Sequence, residues 1–150
     1  PAPSTGKGYG SSAFEDELKE MCSRIHDLVN QQRKDNGVTP LTFDDSLAEM
    51  AVGHSGDMAN HGFFNHKNLD GKGLKERCSD RGIQRDKTGE NIFSCQGMAD
   101  PVRAAVSGWM NSPGHRENML DKDFSHEALG IVRALDGTYF VTQVLASGVI

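Results

Sequence analysis

His66, Glu90 and His115 are the residues of this sequence best placed to do chemistry together. His66 follows the apolar pair Phe63-Phe64, and His115 comes directly after Pro113-Gly114, where a helix is expected to break. Polar loops just beyond apolar elements are where functional side chains tend to be displayed. Glu90 stands between Gly89 and Asn91 in a strand-like run. A glutamate is oddly polar for a core strand, and a glycine beside it permits close approach of another group. Two neutral imidazoles and a carboxylate are a reasonable set for holding zinc, or for a base with its orienting partner. The competing reading is a set of unrelated surface and hydrogen-bonding histidines.

The other four histidines carry less. His26 sits off the apolar stripe of its helix and His126 lies in a polar link, so both are expected to be solvated. His54, Asp57 and His61 are spaced to share one helix face, but no tight pair of the H-E-x-x-H kind occurs. A packed or capping role is the expectation for His54 and His61. Ser112 lies three residues before His115, yet no G-x-S-x-G elbow surrounds it, and Ser112-Pro113 reads as helix-ending chemistry.

These residues are carried by 150 residues of globular composition, 36% hydrophobic and 25% charged, which fits one domain able to bury a core. The net charge of -5 and the absence of a basic patch argue against a nucleic-acid partner. No apolar run approaches membrane-spanning length. The opening PAPSTGKGYGSS has no initiator Met and reads as a mature or trimmed end, with residues 1–12 a flexible lead-in and residues 13–150 the domain. The three cysteines leave at least one thiol unpaired within the chain. Cys78 and Cys95 could close a short loop, or remain buried thiols that pack as small hydrophobes.

Elements follow from periodicity. Ser12 and Glu15 have capping-box spacing, and Phe14, Leu18, Met21, Ile25, Leu28 and Val29 form one stripe of a helix ending at Asn36-Gly37. Pro40 to Phe43 is an extended link. A second helix starts near Asp44, with Leu47, Ala51, His54 and Met58 on one face, and runs out at His61-Gly62. A short helix is expected from Leu74 to about Asp80, and a strand from Thr88 to Cys95. Asp100-Pro101 starts a helix that Pro113-Gly114 should end. Asp136-Gly137 between two alternating runs, Ala128 to Leu135 and Thr138 to Ala146, is a hairpin signal. Helices early and strands late give the α+β class.

The segments PLTFDDSLAEMA, GFFNH, GENI, WMNSPGHRENML, LGIV and YFVTQV occur in that order over about residues 14 to 147. Together they resemble the CAP superfamily of cysteine-rich secretory, antigen 5 and pathogenesis-related 1 proteins, and in particular the SCP-like domain of its simpler bacterial-type branch. The resemblance implies a three-layer α-β-α sandwich, a secreted protein and a cleft of two histidines and two glutamates. His66, Glu90 and His115 match three of the four. The second glutamate is expected three residues after Trp109, where this sequence has Ser112; Glu117 is a nearby carboxylate that the match does not support. The disulfide pattern of the animal and plant members is not reproduced.

The resemblance implies a binding, signalling or defence module with zinc or magnesium held by His66 and His115, and Glu90 as orienter; a monomer is the default expectation. Cation affinity should then fall as the imidazoles protonate. A sterol or other apolar small molecule, or an extracellular protein, is the implied partner. The alternative is a hydrolase or protease in which Glu90, His115 and His66 activate a water, with or without a metal. A third reading is a buried hydrogen-bond network that specifies the core. Phe63 and Phe64 are expected to be core, and residues 68–73 a rim.

Overall fold

The computed structural model describes residues 11–150, with side chains from Phe14 onward. The expected lead-in and the Ser12–Glu15 capping box fall outside the residues and side chains described. The elements are α1 (Ser11–Asp35), β1 (Thr42–Phe43), α2 (Asp45–His61), α3 (Leu74–Asp80), β2 (Thr88–Cys95), α4 (Pro101–Met110), α5 (Pro113–Leu120), β3 (His126–Arg133) and β4 (Tyr139–Ala146).

The local signals work as their chemistry requires. Asp44 caps α2 by accepting from the Ser46 N–H, and Gly62 ends that helix in the left-handed region at φ 67°. Asp100 accepts from the Arg103 N–H and Pro101 opens α4. The β3–β4 hairpin closes around Asp136-Gly137, with the Ala134 N–H donating to Thr138 O at 2.8 Å.

One sheet has the order β1-β3-β4-β2, antiparallel except for the short parallel β1–β3 pairing. Period-2 alternation gives it two apolar faces. Leu129, Ile131, Val141 and Leu145 meet Ile25, Val29, Val106, Trp109 and Met119 of α1, α4 and α5 on one side. Ala128, Val144 and Ala146 meet Leu47, Met50, Ala51 and Cys78 of α2 and α3 on the other. This is the α-β-α sandwich that the resemblance implied.

Two expectations are corrected here, and one open alternative is resolved. Pro113 does not close α4, which stops at Met110; it is the first residue of α5, where a proline's missing N–H costs nothing. His126 is not a solvated linker residue; it opens β3, half-buried, against the Ser125 hydroxyl at 2.6 Å. The three cysteines are free. Cys78 packs near Val144 and Ala146, which pair with Glu90 and Thr88 at the start of β2, whereas Cys95 ends that strand opposite Tyr139. Five residues of strand separate Glu90 from Cys95, about 17 Å, well beyond the reach of a disulfide.

His26 also departs from expectation. Its Nδ1 lies 2.6 Å from the carboxylate of Glu127, a fully buried residue on β3. That hydrogen bond raises the His26 pKa, against the opposing effect of burial. A raised histidine pKa means stability that is full below the unfolded value near 6.5 and lost as pH rises through the folded one. The melting-temperature gap between wild type and His26→Gln should therefore be widest near pH ~5.5 and shrink toward pH ~8.5. A gap that does not change with pH would show that His26 does not carry this charge.

Candidate functional site

Glu90 lies on β2, an edge strand, and its register opposite Val144 turns it toward the α2–α3 face. Its side chain is 2% exposed, and a carboxylate so buried needs partners. Arg77 of α3, 7% exposed, supplies the first: its Nη2 donates to Oε1 at 2.8 Å and Oε2 at 2.9 Å. The same nitrogen donates to the His66 carbonyl at 2.7 Å, tying down the loop that follows α2. His66 supplies the second, with Nδ1 2.9 Å from Oε1. That contact leaves Nε2 as the ring nitrogen not bonded to Glu90. The His66 side chain is 52% exposed.

His115 reaches the same strand edge from the opposite face. It is not in a loop, as expected from the sequence, but in the first turn of α5. Its Nδ1 meets the Ser112 hydroxyl at 2.9 Å. Ser112 occupies the N-cap position without capping the backbone, because its side chain serves the imidazole. Burial, and then the nearby His66 imidazole, lower the His115 pKa, so His115 stays neutral to lower pH than an ordinary histidine. Asn91 and Asn118 dock α5 on β2. Asn91 Nδ2 donates to the His115 carbonyl at 3.1 Å, and Asn118 Nδ2 donates to Asn91 Oδ1 at 3.1 Å. Trp109 Nε1 donates to Ile92 O at 3.1 Å, covering another carbonyl of β2.

The model of the CAP, Cysteine-rich secretory protein, family matches residues 26–145, four-fifths of the chain. The chain is a member of the CAP family. The membrane protein YlbC of Bacillus subtilis (strain 168) is 37% identical over 110 residues, covering 73% of this chain and 31% of that protein. The crystal structure of an extracellular SCP-domain protein from Bacillus anthracis (strain Ames) superposes with TM-score 0.75 at 28% identity, covering 99% of this chain and 45% of that one. An outer surface protein from Borrelia burgdorferi gives TM-score 0.78 at 20% identity, covering 87% and 94%. This CAP domain thus spans less than half the length of YlbC and of the Bacillus anthracis protein.

Within the CAP domain, His66 and Glu90 are directly bonded, whereas the His115 imidazole bonds Ser112 and only its backbone carbonyl is tied to the strand, by Asn91 next to Glu90. Glu117 does not join; it is exposed, two residues along α5 from His115. The parts of a Ser-His-carboxylate arrangement are present but divided. Glu90 orients His66, which has no hydroxyl, and Ser112 meets His115, which has no carboxylate.

The two Nε2 atoms have no hydrogen-bond partner among the described residues, and both oxygens of Glu90 are engaged. Among the described residues, no three His, Cys, Asp or Glu side chains stand together as a metal-holding group.

Arg77, Ser112, Asn91 and Asn118 are the members that the residue-level reading did not assign. Arg77 gives no local signal, since a charged residue on a short helix ordinarily faces water. The GENI and HRENML segments contain both asparagines, and two amides next to a candidate glutamate and histidine were the available clue. His54 behaves as expected, buried with Nε2 2.7 Å from Asn65 O at the root of the His66 loop. Phe63 is half-buried beside His54, but Phe64 is exposed and not core. A separate apolar groove of about 700 Å³, lined by Leu18, Cys22, Phe43, Val52, Leu129 and Ile131, lies at the opposite edge of the sheet.

Proposed function

We propose that this CAP domain is an extracellular binding module whose cleft takes a divalent cation of the zinc class on Nε2 of His66 and Nε2 of His115. One observation carries the reading: each imidazole has its Nδ1 engaged by a partner within the site, Glu90 or Ser112. Among the described residues neither Nε2 has a hydrogen-bond partner from the cleft. Fixing one ring nitrogen orients the other and raises its basicity, which is how metal-bound histidines are ordinarily supported. The bound ion would act as a Lewis acid toward a ligand's oxygen or anionic group. Residues of this chain would orient that ion and leave its outer positions open.

Action outside the cytoplasm is supported by the solved relatives described as extracellular and outer surface proteins. Among the described residues no helix is long and apolar enough to cross a membrane. A protein partner or an apolar small molecule would complete the function, and the groove at the far sheet edge is the apolar hollow available to the latter. Binding is favoured over hydrolysis because the serine and the carboxylate serve different histidines.

Titration calorimetry with zinc tests the reading. The wild-type domain should give saturable one-to-one heat, and His66→Ala/His115→Ala should give none while keeping its melting temperature within a few degrees. Equal heats from the two proteins would sink it.

A further inference from the structure

We propose that the domain carries a proton-responsive relay across its sheet: the charge on His26, at the edge that holds the apolar groove, sets how firmly α5 is held at the other edge, through Glu127, Gln143, Asn91 and Asn118. The relay needs no bound cation, so it stands or falls separately from the zinc reading.

The chain of contacts is continuous. Glu127 of β3, Gln143 of β4 and Asn91 of β2 are each 0% exposed. Asn91 is directly opposite Gln143, and Gln143 is opposite Leu129, two residues along from Glu127. All three side chains therefore share the face on which α1 and α5 pack. At one end His26 Nδ1 lies 2.6 Å from Glu127 Oε2. Gln143 Nε2 donates to Glu127 Oε1 at 2.8 Å, and Asn91 Nδ2 donates to Gln143 Oε1 at 3.0 Å. At the other end Asn91 bonds the His115 carbonyl and the Asn118 side chain, both on α5.

The direction of every bond follows from one group. A carboxylate accepts and cannot donate. Gln143 must turn its NH2 to Glu127 and its carbonyl to Asn91. Asn91 then turns its NH2 to Gln143 and to His115, which leaves its own carbonyl for Asn118. Hydrogen bonds in such a chain polarise one another. A protonated His26 draws on the Glu127 charge. A neutral His26 leaves that charge to Gln143, and each following bond strengthens in turn. The grip on α5 should thus be firmer above the folded His26 midpoint than below it.

The charges around His26 leave it as the switching group. Glu127 faces it from β3, and Asp27 on its own helix adds a weaker pull of the same sign. From β1 it meets the Phe43 ring edge-on, with centroids 5.5 Å apart. Glu15 and Lys19 of α1 and Asp45 of α2 line the groove with it. Arg33 also acts on Glu127, but a guanidinium keeps its charge at all relevant pH. The Cys22 thiol, pushed up to about 11 chiefly by burial, stays neutral.

An NMR titration of the domain tests the relay, following the ring signals of His26, His66 and His115 together with the side-chain NH2 signals of Asn91 and Asn118. The NH2 signals of wild type should move downfield with the His26 midpoint as pH rises. That step should be lost in His26→Gln, while any steps at the His66 and His115 midpoints persist. NH2 signals that stay still, that follow only His66 or His115, or that keep the step in His26→Gln would overturn the relay. Should His26→Gln fail to fold, Gln143→Met takes its place: it cuts the chain but leaves His26 to titrate, and a step that survives the cut overturns the relay as well.

Discussion

Replacing Arg33 by methionine should lower stability by about 3–5 kcal/mol, the cost of leaving a buried polar network without one of its members. Arg33 sits in the last turn of α1 and is 1% exposed. Its guanidinium donates to four main-chain carbonyls: Thr39 O at 2.7 Å, Met119 O at 2.7 Å, Asp121 O at 3.1 Å and Phe124 O at 2.9 Å. Methionine fills the stem's volume but donates nothing, and each carbonyl left dry costs about 1–3 kcal/mol. Lysine, a single compact donor, cannot span four acceptors and should recover only part of the loss. At this chain length the melting temperature should fall by roughly 10 °C or more. Lys34→Met, at the exposed neighbouring position, should change stability by at most about 0.5 kcal/mol. Matching thermal scans of the two variants would dismiss the clamp. The functional interest lies in what is clamped, since Met119 and Asp121 are the end of α5 and α5 carries His115.

Gly130→Ala should be as damaging, for a steric reason. A Cβ at Gly130 would lie 2.3 Å from Val52 N, 2.4 Å from Ala51 C and 2.6 Å from Val52 Cα. These are backbone atoms of α2, so no side-chain rotation relieves the overlap and the whole helix must lift from the sheet. That motion would separate the Ser55 hydroxyl from Gly130 O and Thr142 Oγ1, at 2.9 and 2.7 Å, and loosen the buried face of α2. Overpacking a core costs about 1–3 kcal/mol when side chains can adjust, and more when they cannot; a loss of about 3 kcal/mol or more is expected. Gly114→Ala is the control. Its Cβ would meet nothing within 4 Å and its position is helical, so alanine should be neutral or stabilising by about 0.5 kcal/mol. Chemical denaturation of both variants would show the contrast, and an unchanged midpoint for Gly130→Ala would refute the close approach. Because α2 leads directly into the His66 loop, the same variant should also blunt the zinc heat.

Both predictions turn on residues whose importance was invisible along the chain. Arg33 in a last helical turn reads as an ordinary cation at the favourable end of a helix, and Gly130 in a strand reads as a bulge or weak point. The helix start at Asp100-Pro101, the α2 limits at Asp44 and Gly62, and the hairpin at Asp136-Gly137 were all legible, because each depends on bonds within a few residues. Pro113 misled because a proline can follow one helix and open the next, and only the short turn at Asn111-Ser112 separates the two functions.

The candidate site divides along the same line. From the sequence alone came His66, Glu90 and His115 as a set, through residue type and the ordered CAP segments, together with the α+β class and the substitution of Ser112 for a second carboxylate. Tertiary structure decided what those residues are bonded to. Arg77 meets Glu90 across 13 residues of chain, Arg33 meets Phe124 across 91, and His26 meets Glu127 across 101. A side chain's local pattern sets its place on a helix or strand, since backbone hydrogen bonds and caps are short-range. Whether a charge there is solvated or buried against a partner is set by which elements pack together. That is why two oriented imidazoles and one arginine-held carboxylate appear only once α3, α5 and the loop after α2 are each brought against β2.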